Sequence, residues 1–145
     1  MSSETLSKSD LTAGLTLLGR EVREPVRQLE TFPNMHPGRP YTVTLETSEF
    51  TCVCPMTGQP DFATITVRYI PDQKIVESKS FKLYLWSYRN EGVFHEHVTN
   101  QILDDLVKAL EPQSCEVTGA FNVRGGIALT VVAKYEKPHA DASAK

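Results

Sequence analysis

The sequence is short of cysteine, of one-sided charge and of long apolar stretches, and each shortage removes a class of protein. Its 3 cysteines are odd in number, and two of them, Cys52 and Cys54, lie almost side by side. That arithmetic does not build a disulfide framework and points to a reducing, cytoplasmic setting. The 15 basic residues against 18 acidic ones leave a formal charge of -3, so no global positive field is present to hold nucleic acid. In the N-terminal segment the most apolar stretch is Leu15–Leu18. That is far shorter than a signal-peptide core or a membrane-spanning helix of about 20 residues. The expectation is a soluble cytoplasmic protein with no direct contact to membrane or nucleic acid. Four catalytic signatures are missing as well: G-x-G-x-x-G, the Walker A sequence, G-x-S-x-G and H-E-x-x-H.

The chain has 145 residues, a length that suits one domain with a real core. Residues 1–40 read as an N-terminal arm, with Pro25, Pro33, Pro37 and Pro40 and no sustained period. Residues 41–133 are patterned, and residues 134–145 are polar and rich in small side chains, which predicts a flexible C-terminal tail. Within the body, Tyr41, Val43 and Leu45 alternate with threonines, and Ala63, Ile65, Val67 and Tyr69 alternate again before Pro71-Asp72. Each set predicts a strand, with a Pro/Gly loop from about residue 50 to 60 between them. Residues 77–89 lack turn residues and predict a helix that Asn90-Glu91-Gly92 breaks. Val98, Ile102, Leu103, Leu106, Val107 and Leu110 fall at helical spacing, and Pro112 closes that second helix. Val117 to Val123 and Ile127 to Val131 alternate around Arg124-Gly125-Gly126. The order is strand, strand, helix, helix, strand, strand: an α+β protein with a four-stranded antiparallel sheet and two helices on one face. Such a sheet has two open edges, and open edges pair with other chains.

Few residues are placed to do chemistry. Cys54 lies in Cys54-Pro55-Met56-Thr57-Gly58-Gln59-Pro60-Asp61, a loop able to hold a nucleophilic thiolate exposed. Free cysteine is more often packed away. That reading suits Cys52, which falls where the preceding strand continues, and Cys115, which opens an alternating strand. Asp61 can fold back toward the thiol or simply cap the loop. His95, Glu96 and His97 bunch after Phe94, beside the glycine break. Glu96 in a first helical turn also suits the helix dipole. Glu77-Ser78-Lys79-Ser80-Phe81-Lys82-Leu83-Tyr84 is either a solvated helix face or a cation site.

The segment Glu77–Tyr84 resembles the signature of the QueF family, the NADPH-dependent 7-cyano-7-deazaguanine reductases of queuosine biosynthesis, a tRNA-modification pathway. Cys54-Pro55 through Gly58-Gln59-Pro60-Asp61-Phe62 resembles that family's nucleophile loop. Phe94-His95-Glu96 resembles its substrate-binding segment, and Arg124-Gly125-Gly126 matches too. The similarity runs from about Leu45 to Ile127 and looks like the single-domain branch. It implies a tunnelling fold (T-fold) in ββααββ order, whose units pair their edges into a barrel and stack as two pentamers, a homo-oligomeric decamer.

The resemblance also implies the chemistry. The substrate is 7-cyano-7-deazaguanine, reduced to 7-aminomethyl-7-deazaguanine. Cys54 adds to the nitrile as a covalent thioimide, Asp61 carries the proton and His95 donates protons or orients the nicotinamide. Glu96, Phe94, Glu77 and Ser78 are the substrate-binding set, and a carboxylate at 96 accepts two adjacent donors of a guanine-like face. Lys79, Lys82 and Arg124 are the cations for NADPH, whose 2'-phosphate demands positive charge. With no dinucleotide fingerprint, the cofactor surface is not a Rossmann one. An anionic Asp61 raises the thiol's pKa, so the pair calls for a cation to hold the thiolate. No metal is expected. The alternative is a zinc-dependent cyclohydrolase-like T-fold enzyme with ligands drawn from Cys52, Cys54, His95, His97 and Cys115.

Overall fold

The computed structural model describes residues 6–138. Its main sheet has four antiparallel strands in the order β2-β3-β5-β6: β2 (Val43–Val53), β3 (Pro60–Ile70), β5 (Ser114–Arg124) and β6 (Ile127–Glu136). Between β3 and β5 the chain makes α2 (Ser78–Trp86) and α3 (His95–Leu110). The alternation read in the sequence is the cause of the sheet. Ala63, Ile65, Val67 and Tyr69 of β3 are all buried, as are Cys115, Val117 and Phe121 of β5. They form one inward face, while Arg68, Glu116 and Lys134 make a chain of ion pairs on the other, at 3.8 and 3.6 Å.

Helix α3 closes the inward face. Val98, Ile102, Leu106 and Leu110, each four residues from the next, are at most 1% exposed. Each such side chain contributes roughly 1.5–3 kcal/mol through removal of apolar surface from water. The helix stops where Glu111 turns left-handed (φ 46°) and its N–H donates to Val107 O, followed by Pro112. Helix α2 begins at the buried Glu77, whose carboxylate accepts from Lys79 N and Ser80 N at 2.8 and 2.9 Å. These are donors that a helix start otherwise leaves unpaired.

Three boundaries differ from the sequence reading. Strand β2 runs on through Val53, because Phe50 and Cys52 continue the inward row beyond an irregularity between Thr47 and Phe50. The arm is not featureless. It holds a short helix, α1 (Lys8–Thr12), capped by Ser7, and a strand, β1 (Thr31–Pro33), that pairs antiparallel with β4 (Lys74–Val76). Residues 134–137 are docked rather than loose. Strand β6 reaches Glu136, Lys137 N donates to Gln113 O at 2.9 Å, and Lys137 Nζ pairs with Asp72 at 2.7 Å. The rest of the expected tail, residues 139–145, lies outside the described residues. Among those described, no helix is long and apolar enough to cross a membrane.

Candidate active site

Asp61 follows directly from the strand period. It extends the inward row of β3, two residues before Ala63 and opposite Cys52 in the register, so its side chain turns into the end of the core. It is only 4% exposed. A carboxylate there needs partners, since an unpaired buried charge is costly. His95 Nε2 lies 3.1 Å from Asp61 Oδ2. Arg124 pairs with the other oxygen, Oδ1, and its second nitrogen donates to Gln59 Oε1 at 3.0 Å. Arg124 reaches inward because the β5–β6 register shifts between Phe121 and Arg124, and such an irregularity re-aims the side chains beyond it. The His95 ring stacks on Phe121 with centroids 3.8 Å apart and planes within 6°.

The Cys54 loop is fastened from both sides. Within it, Cys54 N donates to Gln59 O and Gly58 N to Cys54 O, each at 2.8 Å. Outside it, the segment before α3 runs beside the end of β2. Val53 N donates to Glu91 O at 3.0 Å and Val93 N to Val53 O at 3.1 Å. This pairing sets Phe94-His95-Glu96 next to the loop. Gly92 permits the approach, because a Cβ there would lie 3.1 Å from Pro55 Cα.

The thiols divide sharply. Burial pushes Cys52 up to about 11, with Asp61 and Glu91 adding to it, and Cys115 up to about 12. Cys54 is held below the ordinary thiol range, first by a hydrogen bond from the Thr57 hydroxyl, then by the backbone N–H groups of Thr57 and Met56. Slight burial and the charge of Asp61 oppose them. The stabilisation expected from a cation is supplied instead by hydrogen-bond donors of the loop itself.

Cys54, Asp61, His95 and Arg124 therefore gather at one end of the sheet. Phe94 (60% exposed) and Glu96 stand at the solvent-facing start of α3. Ser78 and Lys82 lie elsewhere. With Arg89 they line a cleft of about 980 Å³ between α2 and the edge strand β2, which extends to Val53, Pro60 and Phe62 beside the loop. Lys79 Nζ donates to Arg20 O, and Glu77 is occupied by its cap. In this chain Arg124 is thus joined to Asp61, not to the two lysines. Among the described residues no three of His, Cys, Asp and Glu are grouped to hold a metal ion. Thr57, Gln59, Phe121 and Gly92 were missed by the sequence reading. Thr57 and Gln59 sat within the nucleophile loop and carried a signal, while Phe121 reads as one more core aromatic.

The architecture and the site define a thiol-centred candidate enzyme on an antiparallel α+β scaffold. The model of the family described as QueF-like protein matches residues 60–140, and the chain belongs to that family. The NADPH-dependent 7-cyano-7-deazaguanine reductase of Syntrophus aciditrophicus (strain SB) is 70% identical over 124 residues, covering 86% of this chain and 88% of its own length. The reductase of the same description from Thermomicrobium roseum is 62% identical over 114 residues, 79% of this chain and 89% of that one. Among solved structures, the apo archaeosine synthase QueF-Like is similar with a TM-score of 0.62 and 29% identity, covering 66% of this chain and 94% of that one.

Proposed function

We propose that this protein is an NADPH-dependent 7-cyano-7-deazaguanine reductase that forms the aminomethyl product for queuosine biosynthesis. The observation that carries the reading is a thiol lowered by its own loop beside a buried, doubly partnered carboxylate, in a chain up to 70% identical to relatives of that description.

Cys54 attacks the nitrile carbon: the S–C bond forms as one C–N π bond breaks, giving a thioimide. The thiol proton passes through Asp61 to the nitrile nitrogen, so the addition is balanced without a redox change. His95, stacked on Phe121, keeps Asp61 aligned and serves the later proton transfers. Glu96 accepts the paired donors of the deazaguanine face and Phe94 covers the heterocycle. Ser78 belongs to the substrate side as well, and Glu77 contributes through the helix start it caps. NADPH supplies the hydride, and two equivalents take the nitrile to the amine. The cations for such a group are Lys82 and Arg89 on the wall of the cleft along α2, which Glu46 and Glu49 of β2 also line, with Lys79 on the same helix. Arg124 adds a cation from the other end of the site.

The T-fold barrel and decamer belong to the same proposal. Among the described residues no further strand pairs with the edges β2 and β6, and Val123, Ile127 and Val132 are 64, 69 and 50% exposed. Assembly brings sites together at subunit boundaries, in the cytoplasm.

The test is to mix protein, NADPH and 7-cyano-7-deazaguanine and follow loss of reduced-nicotinamide absorbance. Wild type and Cys52→Ala should turn over, while Cys54→Ala should show neither turnover nor a covalent adduct by intact mass. Turnover by Cys54→Ala overturns the mechanism.

A further inference from the structure

We infer that Arg124 is a positioning residue for the thiol-addition step, acting on Asp61 before any cofactor is involved. The inference rests on the proposed reductase reading and assigns within it a task that cofactor binding does not require. Asp61 is buried, and its two oxygens are taken by residues from different elements: Oδ2 by His95 at the start of α3, Oδ1 by Arg124 at the end of β5. A carboxylate held at both oxygens cannot rotate about its terminal bond. That fixes the orientation of the carboxylate close enough to the Cys54 loop for its charge to act on the thiol.

Arg124 is itself splinted. Its second nitrogen donates to Gln59 Oε1 at 3.0 Å, and Gln59 O is the acceptor that closes the Cys54 loop at 2.8 Å. One guanidinium therefore spans the proton carrier and the loop of the nucleophile. A planar fork with several donors suits this; a lysine ammonium offers charge without the fork. The irregularity between Phe121 and Arg124 is the backbone device that turns the side chain inward. The step served is the addition already described: sulfur bonds to the nitrile carbon, the π pair goes to nitrogen, and the thiol proton travels through Asp61 to that nitrogen.

The addition needs no reductant, so it separates the two roles of Arg124. Full-length protein is mixed with 7-cyano-7-deazaguanine in the absence of NADPH, and adduct growth is followed by stopped-flow absorbance and intact mass. Loss of orientation at one contact slows such a step by roughly tenfold or more. Arg124→Ala should slow adduct formation by that much, Arg124→Lys should recover part of it, and Gln59→Ala should slow it by a few-fold. The KM for NADPH is measured in parallel by steady-state turnover. If Arg124→Ala forms adduct within twofold of the wild-type rate and only the NADPH KM rises, the inference is overturned while the reductase reading stands. If wild-type protein forms no adduct, the reading fails and the inference with it. Circular dichroism reports whether Arg124→Ala folds. Should it not, Arg124→Lys and Gln59→Ala decide the question, and wild-type rates in both overturn it.

Discussion

The two hairpins of the main sheet carry their chemistry at the same end and are fastened in opposite ways. The β2–β3 loop holds Cys54 and is tied by backbone bonds, internally at Cys54 and Gly58 and externally through Val53 to Glu91 and Val93. The β5–β6 turn is two glycines at positive φ, 57° and 79°, with every residue from 122 to 128 exposed. It delivers Arg124, whose hold on the site is through side chains alone. The contrast shows a division of labour. A nucleophile must meet an electrophilic carbon within a few tenths of an ångström, so its loop is bound by the bonds that vary least. Arg124 reaches in from a looser hairpin and is held in place by its own side-chain bonds to Asp61 and Gln59.

Three substitutions probe this difference. The largest effect should come from Gly92→Val. Its Cβ would meet Pro55 Cα at 3.1 Å, a backbone neighbour that yields only by moving the Cys54 loop. Overpacking of this kind costs about 1–3 kcal/mol, and the adduct-forming rate should fall by about tenfold or more. A wild-type rate would mean the external fastening does not set the thiol's position. Thr57→Val comes next. The hydroxyl donates to the charged form of Cys54, so removing it raises the thiol's pKa. The pH profile of iodoacetamide alkylation should move to higher pH. Cys52 and Cys115, pushed up to about 11 and 12 by burial, stay unreactive across that range, so the label reads Cys54 alone. An unmoved profile would assign the lowering to the backbone donors instead. Gly126→Ala should do least. Alanine at φ 79° is strained by about 1–2 kcal/mol, which lowers Tm by several degrees. Alkylation of Cys54 should not change. If it did, the second hairpin would be as tightly coupled to the nucleophile as the first.

The sequence made some of this architecture legible and hid the rest for identifiable reasons. Strands β3, β5 and β6 and helix α3 each bury one face, so their periods of two and of three to four are written directly in the order of apolar residues. The position of Asp61 at the head of β3 followed from the same period. The β1–β4 pair was invisible because three-residue strands have no period, and Pro33 argued against one. The attachment of the arm was hidden by distance. The Arg27 guanidinium lies 3.9 Å from the Tyr88 ring centroid, bonds Ser87 Oγ at 2.6 Å and pairs with Glu91, all some sixty positions along the chain. The contact between Arg124 and Asp61 was beyond sequence reasoning too. Strict alternation would have turned Arg124 outward, and only the irregularity in β5 reverses it.

The pairing of β3 with β5 has a temporal side. These strands meet across the entire connection that contains β4, α2 and α3, whereas each hairpin closes over a handful of residues. Non-local pairings of this kind are paid late, after loop-closure entropy has been overcome. Asp61 stands on one side of that seam and Arg124 on the other, with His95 brought in by the helix between them. A chain that has formed only its hairpins holds every reactive side chain yet has no site. The Asp61–His95–Arg124 cluster closes only with that seam, so a chain with its hairpins alone carries a thiol lowered by its own loop beside a carboxylate that lacks both partners.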